Sequence, residues 1–202
     1  MPVTPTYAFP YPALSDPPNG PAQFQALATA VENQLVTTNN SATALASRVT
    51  TLESNLTNIP IANLRQTVAQ SIPNAVFTAI IWGTADIDTA TGWSSGTNPE
   101  RYTAKKTGKY LIAGSAATTF PAVDGFRATV WFKNGVSVAG TQIDSTARVG
   151  VAWPIPARTI ALTLAVNDYI ELRLYQDSGG AALNTSVASD VQSSLTVTFL
   201  SV

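Results

Sequence analysis

Apolar side chains recur at intervals of three and four residues along one stretch of the chain, between residues 24 and 59. Eleven positions follow this spacing, with two successive intervals of four just before Leu35. The positions are Phe24, Leu27, Val31, Leu35, Thr38, Ala42, Leu45, Val49, Leu52, Leu56 and Ile59. This is the spacing of a coiled-coil seam, in which a narrow stripe of one helix packs against another. A lone helix with only such a stripe is marginal in water, so the pattern requires a partner.

The sequence predicts that this helix covers residues 21–59. Pro21 suits a first helical position, and Pro60 ends the pattern. Residues 39–41 are a weak point, at which a break into two shorter helices is plausible. Two partners fit the stripe: further copies of this chain in a parallel bundle, which we favour, or the strand-rich remainder of the same chain.

The first 20 residues form a separate segment that contains six of the 13 prolines. Proline disfavours a helix here and biases the segment toward extended conformations. Tyr7, Phe9 and Tyr11 then lie on one side of the extended chain, because side chains alternate with a period of two. A disordered tail is the alternative, although such tails are poor in aromatic residues. We interpret residues 1–20 as a docking arm, with Tyr7, Phe9, Tyr11 and Leu14 as its contact residues.

The remainder of the chain has the pattern of an all-β domain. After a linker at 60–74, short alternating or β-branched runs recur between turn signals such as Asn134-Gly135. The runs are 76–82, 101–104, 110–118, 127–133, 136–139, 148–153, 159–164, 169–175 and 194–202. All four tryptophans lie in this part of the chain. Residues 75–202 are therefore predicted to form an antiparallel sandwich or jelly roll.

Composition excludes several kinds of chemistry. The chain has no cysteine and no histidine, which removes disulfides, thiolate catalysis and the commonest general base and metal ligand. Asp86 and Asp88 lack calcium-loop spacing, and no two carboxylates stand out as a catalytic pair. We therefore expect no enzyme activity, no cofactor and no metal. A net charge of −1 with 11% charged residues indicates no nucleic-acid partner. No apolar run is long enough for membrane insertion, and no secretory signal is expected.

Ordered landmarks in the strand-rich region resemble the C1q/TNF-like jelly-roll family. They are Gly108-Lys109-Tyr110, Arg127, Asn134-Gly135, Asn167-Asp168-Tyr169-Ile170-Glu171-Leu172, Tyr175-Gln176 and the closing 195–200. Where the family has glycine before the aspartate, this chain has Asn167, which also tolerates a positive φ. The resemblance covers most of residues 66–202.

The resemblance implies a homotrimer, because such heads are typically compact trimers that follow a collagen-like or coiled-coil stalk. No G-x-y tract exists here, so the stalk must be the helix at 21–59. The fold class is then mainly β: a C1q/TNF-like jelly-roll head preceded by an α-helical coiled-coil stalk and an extended Pro-rich arm. The trimer positions of the stalk are Leu27, Val31, Leu35, Leu45, Val49, Leu52, Leu56 and Ile59.

A second, shorter resemblance concerns the N-terminus. The residues that carry it are Tyr11-Pro12-Ala13-Leu14-Ser15-Asp16 and Gln25-Ala26-Leu27-Ala28. They resemble the N-termini of virion proteins in tailed phages of actinobacteria. The resemblance implies a structural protein on the exterior of a phage particle, made in the host cytoplasm, whose arm contacts another virion protein.

Three functions fit these expectations. A minor tail, tail-fibre or tail-tip protein would adhere to the host surface, with a cell-surface glycan as its partner. A capsid decoration protein would be anchored to the major capsid protein by its arm. The third alternative is a C1q/TNF-like adhesin outside any virus, which the absence of a secretory signal disfavours. In each case the polar loops at 85–99 and 177–189 are the candidate binding loops.

Overall fold

The computed structural model describes residues 3, 13, 20–57, 59–119, 125–146 and 153–201. The chain divides into two units, Met1–Thr57 and Asn58–Val202. The first contains one helix, α1, and the second contains the β-strands. The expected class, mainly antiparallel β-structure with one N-terminal helix, is confirmed.

Helix α1 covers Gly20–Thr57. It begins one residue before the predicted start and ends two residues before the predicted end. Ile59, the last predicted stalk position, therefore lies outside the helix and in the second unit. Asn58 lies outside the described residues.

The helix is continuous through residues 39–41, so the break considered at this point does not occur. Hydroxyl groups along this stretch donate to the carbonyl four residues earlier. Thr37 Oγ1 donates to Asn33 O at 2.9 Å, and Thr43 Oγ1 donates to Asn39 O at 2.9 Å. These bonds satisfy polar side chains locally but add little to helix stability. Most of the stability of the helix must therefore come from burial of the apolar stripe.

The second unit contains strands β1–β15 in chain order. Their bounds are Ile61–Arg65, Ser71–Ile72, Thr78–Ala79, Thr84–Asp88, Tyr102–Thr103, Gly108–Thr118, Phe126–Lys133, Val136–Ser137, Ile143–Thr146, Trp153–Leu164, Tyr169–Asp177, Leu183–Asn184, Val187–Ala188, Val191–Gln192 and Ser194–Ser201. One sheet has the order β10-β6-β15-β1-β4, and the other has the order β3-β11-β7-β8, with β5 on β11 and β9 on β7. The chain passes repeatedly between these two sheets, which is jelly-roll topology.

The predicted linker at 60–74 needs correction, because it contains the first strand of the domain. Strand β1 pairs with β15 on one side and β4 on the other. Its Ala62 and Leu64 are fully buried in the core. Five residues that include alanine and asparagine form a weak strand pattern, and β1 is stabilised by partners distant in sequence. The domain therefore begins well before residue 75.

The core lies between the two sheets and is built around Trp82, Tyr102, Tyr110 and Trp131, all of which are fully buried or nearly so. Trp131 projects from β7 toward β10, where the pairing with β6 shifts register between Ala157 and Ile160. Its indole N–H donates to the Arg158 carbonyl at 2.6 Å. Trp131 thus joins the two sheets through both packing and a hydrogen bond.

The landmark Gly108-Lys109-Tyr110 has a packing explanation. A Cβ at Gly108 would lie 2.4 Å from the Phe199 ring and 2.4 Å from the Ser201 carbonyl oxygen, so β15 can approach β6 closely only at a glycine. Tyr110 packs edge-to-face on Phe199 with ring centroids 5.3 Å apart. Its hydroxyl donates to the Lys106 carbonyl at 2.6 Å. The glycine and the tyrosine therefore form one contact between neighbouring strands.

The turns at Asn134-Gly135 and Asn167 adopt the predicted conformations. Asn134 and Gly135 have φ of 52° and 78°, as a type I′ hairpin requires, and Asn167 has φ of 72°. Asp168 connects the two turns. Its carboxylate accepts hydrogen bonds from Lys133 Nζ at 2.8 Å, from Asn134 Nδ2 at 2.7 Å and from the Ala165 N–H at 2.9 Å.

These contacts predict a pH-dependent contribution to stability. The Lys133 and Asn134 side chains, with the Ala165 N–H, lower the pKa of Asp168 from 3.8 to about 2. A lowered folded-state pKa stabilises the fold above pH ~4, and the contribution is lost as pH falls from about 4 to about 2. We expect Asp168→Asn to cost about 1 kcal/mol at pH 7 and almost nothing near pH 2. Thermal unfolding across this range measures the difference, with Asp144→Asn, at an exposed carboxylate, as the control. A difference that does not depend on pH would contradict the prediction.

Candidate functional site: two uncovered apolar surfaces

The predicted docking residues Tyr7, Phe9, Tyr11 and Leu14 lie outside the described residues. The role of the arm therefore stays a prediction. The stalk positions from Leu27 to Leu56, and most of the head, are described.

Helix α1 leaves its apolar stripe largely uncovered in the single chain. Leu35, Leu52 and Leu56 are 63%, 65% and 75% exposed. Leu27, Leu45 and Val49 are also exposed, whereas Val31 is half-buried. These positions share one face of a continuous helix that is about 57 Å long at 1.5 Å per residue. Apolar side chains exposed in a row along a helix indicate an interaction surface.

Charge on the helix is sparse. Glu32, Arg48 and Glu53 are the charged residues of α1, and neither its first turn nor its last turn carries a charge that would complement the helix dipole. Electrostatics within the helix therefore contribute little to its stability. Among the described residues, no helix combines the length and the hydropathy needed to cross a membrane.

The second uncovered surface is the outward face of the sheet β10-β6-β15-β1-β4, which we call the open face. Its centre consists of two cross-strand rows of outward-facing residues, between a row that contains Arg65 and a row that contains Lys109. One row is Ile61, Thr198, Leu111 and Ala161, and the other is Ile87, Asn63, Thr196 and Ala113. None of the eight is charged, and Ile87 and Leu111 are 48% and 39% exposed. Asn63, Thr196 and Thr198 are polar, so these rows are uncharged and of mixed polarity, a composition that protein contact surfaces also have.

Charged residues lie beside the open face rather than within its two rows. Arg65 Nη2 donates to Asp86 Oδ1 at 2.6 Å at the end near β4. The hydrogen bond from Arg65 lowers the pKa of Asp86, so both groups stay charged at neutral pH. Lys109 lies on β6 beyond Leu111. The open face is therefore an uncharged area with polar residues at its border, as protein interfaces commonly are.

The outward face of the other sheet is covered by its own side chains. The ring of Phe77 packs on Tyr175 with centroids 4.9 Å apart, and Tyr175 packs on Phe126 at 5.8 Å. Arg173 lies 3.9 Å from the centroid of Phe132 and forms an ion pair with Glu171 at 2.7 Å. These side chains form a small aromatic layer on the outward face of this sheet. The open face is thus the better candidate for self-association.

The two candidate binding loops differ in structure. The stretch at 177–189 folds onto the domain: the Thr185 N–H donates to Gln70 O at 2.8 Å and the Ser186 N–H donates to Ala117 O at 3.0 Å. Both of these residues are buried. The stretch at 85–99 contains β4, but its later part forms one wall of a polar cleft. The later part of 85–99 is therefore the better candidate for a binding site, because it lines a cleft.

Solved structures similar to this chain share the architecture of its strand unit. A crystal structure of murine APRIL at pH 5.0 aligns with a TM-score of 0.50 and 11% identity, covering 70% of this chain and 99% of that chain. Eiger TNF from S. frugiperda aligns with a TM-score of 0.50 and 10% identity, covering 72% and 95%. At these identities the likeness shows the fold alone, which is a TNF-like jelly roll. No protein-family model matches the chain, and no curated protein matches it.

Sequence reasoning found the helix stripe but missed the open face. The stripe follows from spacing alone, since one helix face is fixed by a period of 3.6 residues. The open face joins residues from five strands, and two of these, β1 and β4, were not predicted as strands. The alternation of apolar and polar residues over 62–65 in β1 was a local signal for this strand.

Proposed function

We propose that this chain is a non-enzymatic homotrimeric structural protein of a phage virion. In this proposal three α1 helices form the stalk, and three jelly-roll heads project outward and adhere to the host surface. The residues at 1–20 anchor the trimer to another virion protein.

The observation that carries the proposal is the pair of uncovered apolar surfaces. The α1 stripe and the open face each expose apolar side chains on a chain with few charges. Association of copies through these surfaces buries both without any further partner. Because the same chain carries both surfaces, association of one reinforces association of the other. The TNF-like fold supports three copies, since the family resemblance implies trimeric heads.

The virion location rests on the N-terminal resemblance to phage proteins. We favour the tail over the capsid on that resemblance, because a trimer at the tail end would present three weak adhesive sites to the host together. The absence of histidine and cysteine supports a non-enzymatic role.

Immunogold labelling tests the location. We expect an antibody against residues 75–202 to label the tail end of intact particles of the phage that encodes this chain. Label spread over the shell would instead make the protein a capsid decoration trimer. Particles without label, with the protein present only in the host lysate, would contradict the virion role. Pre-incubation of the antibody with purified protein controls for specificity.

A further inference from the structure

A polar cleft on the head has features that the trimer proposal does not explain. It holds about 270 Å³, just below the range of roughly 300–1,000 Å³ typical of sites for drug-sized ligands. Its lining includes two cations, Arg101 and Lys105, and one indole, Trp93. Ser94 and Asn98 add a hydroxyl and an amide. Among the residues that the structure describes, no carboxylate side chain lines it.

Hydrogen bonds and packing against the core hold the cleft wall in place. Both oxygens of Asp88 are used, one by the Gly92 N–H at 3.0 Å and the other by the Trp93 N–H at 2.9 Å. The Trp93 indole N–H donates to Pro99 O at 2.9 Å. A Cβ at Gly92 would lie 2.2 Å from the Tyr102 ring, so the loop rests directly on the core. A site held in this way loses little entropy when a ligand binds.

Two residues of this wall have positive φ angles. Thr91 and Asn98 have φ of 52° and 50°. A positive φ is a genuine outlier for a β-branched residue such as threonine, with a cost of about 1–3 kcal/mol. Strain of this kind persists where the surrounding structure imposes it, and it concentrates at ligand sites.

Arg101 and Lys105 supply the positive charges that line the cleft. The Arg101 guanidinium lies 4.3 Å from the centroid of the Tyr169 ring, which orients it. Within the described part of the chain, neither Arg101 nor Lys105 forms an ion pair or donates a side-chain hydrogen bond. Asp88 is occupied by backbone N–H groups, and Glu100 does not line the cleft. The side chains that line the cleft therefore include two cations, whereas the carboxylates of Asp88 and Glu100 lie outside the lining.

We infer that this cleft binds one acidic sugar residue. Arg101 and Lys105 hold its carboxylate through charge-assisted hydrogen bonds, Trp93 lies against its ring, and Ser94 and Asn98 bond its hydroxyl groups. The volume suits one sugar residue, and the lining provides a partner for each of its chemical groups. This inference rests on the proposed adhesive function, because it specifies the class of host ligand to which the head adheres.

The test compares two sugars that differ at one group. Methyl β-D-glucuronide and methyl β-D-glucoside share the ring but have a carboxylate or a hydroxymethyl group, respectively. With the full chain, we expect ligand-observed saturation-transfer NMR to give a Kd at least tenfold lower for the glucuronide. Arg101→Gln should abolish that preference and Lys105→Gln should reduce it. Lys109→Gln, which removes a charge elsewhere on the head, should leave it unchanged.

Several results would overturn the inference. Equal Kd values for the two sugars, no saturation transfer to either sugar, or an unchanged preference in Arg101→Gln would each do so. Competition by inorganic phosphate without saturation of the sugar ring would show an anion site only, which also contradicts it. Light scattering on the same samples separates this outcome from the proposed assembly, because a trimer that does not bind glucuronide contradicts the cleft alone.

Discussion

Replacing Leu45 and Leu52 together by aspartate should separate the stalk helices and leave the heads folded. Both leucines lie on the α1 stripe and are largely exposed in the single chain, so burial between copies is their expected source of stability. Within the bundle, two carboxylates per chain would lose their hydration. The free energy needed for this desolvation is much larger than the free energy that burial of the two leucines provides. The isolated helix is then marginal in water. We expect most of the helical circular dichroism to disappear and self-association to weaken at least tenfold.

Light scattering and circular dichroism measure this result. The wild-type chain should have three times the mass of a 21.2 kDa monomer. Asn40→Asp with Ser47→Asp is the matched control, because it adds the same charge on the opposite face of α1 and should preserve both helix and mass. The β-sheet signal should persist in both variants. A monomeric wild-type protein would contradict the assembly proposal as a whole.

Replacing Trp131 by alanine should produce the largest loss of stability in the head. Its side chain is fully buried, and its indole N–H donates to the Arg158 carbonyl at 2.6 Å. Truncation removes the packing between the sheets, leaves a cavity and deprives the Arg158 carbonyl of its donor. The expected cost is about 3–5 kcal/mol. A typical domain has about 5–15 kcal/mol in total, so the variant would be close to unfolding.

Urea unfolding at fixed protein concentration measures this loss, since assembly makes the apparent stability depend on concentration. Val136→Ala is the control: Val136 lies near Trp131 in sequence but is 69% exposed, so its loss should stay within about 0.5 kcal/mol. The loss of stability in Trp131→Phe should lie between the losses in Trp131→Ala and Val136→Ala, because phenylalanine keeps part of the packing but lacks the N–H donor. Stability of Trp131→Ala equal to wild type would show that this residue does not join the sheets.

Three of the long strands follow directly from the sequence pattern. The predicted runs at 110–118, 127–133 and 169–175 correspond to β6, β7 and β11, each of which has buried residues that recur along the strand. Strands β1 and β4 were missed, as were the short strands β2, β9 and β12–β14, and the predicted run at 148–153 lies outside the described residues except for Trp153. Thr84–Asp88 contains two aspartates and lies at an edge of its sheet, so neither residue type nor alternation marks it as a strand.

The amino-acid sequence by itself determined the helix stripe, the turn conformations at Asn134, Gly135 and Asn167, and the mainly antiparallel β class. These features depend on neighbours within a few residues, where the periods of helix and strand and the φ preferences of asparagine and glycine act directly.

Tertiary structure alone decided which distant residues meet. The pairing of Ile61 with Thr198 and of Thr198 with Leu111 creates the open face from three separate parts of the chain. In the same way, Asp88 fixes the loop that brings Trp93 to the cleft shared with Arg101 and Lys105. Strand register and burial of the whole core determine such contacts. Both depend on residues that are far apart in the chain, so a short stretch of sequence does not determine them.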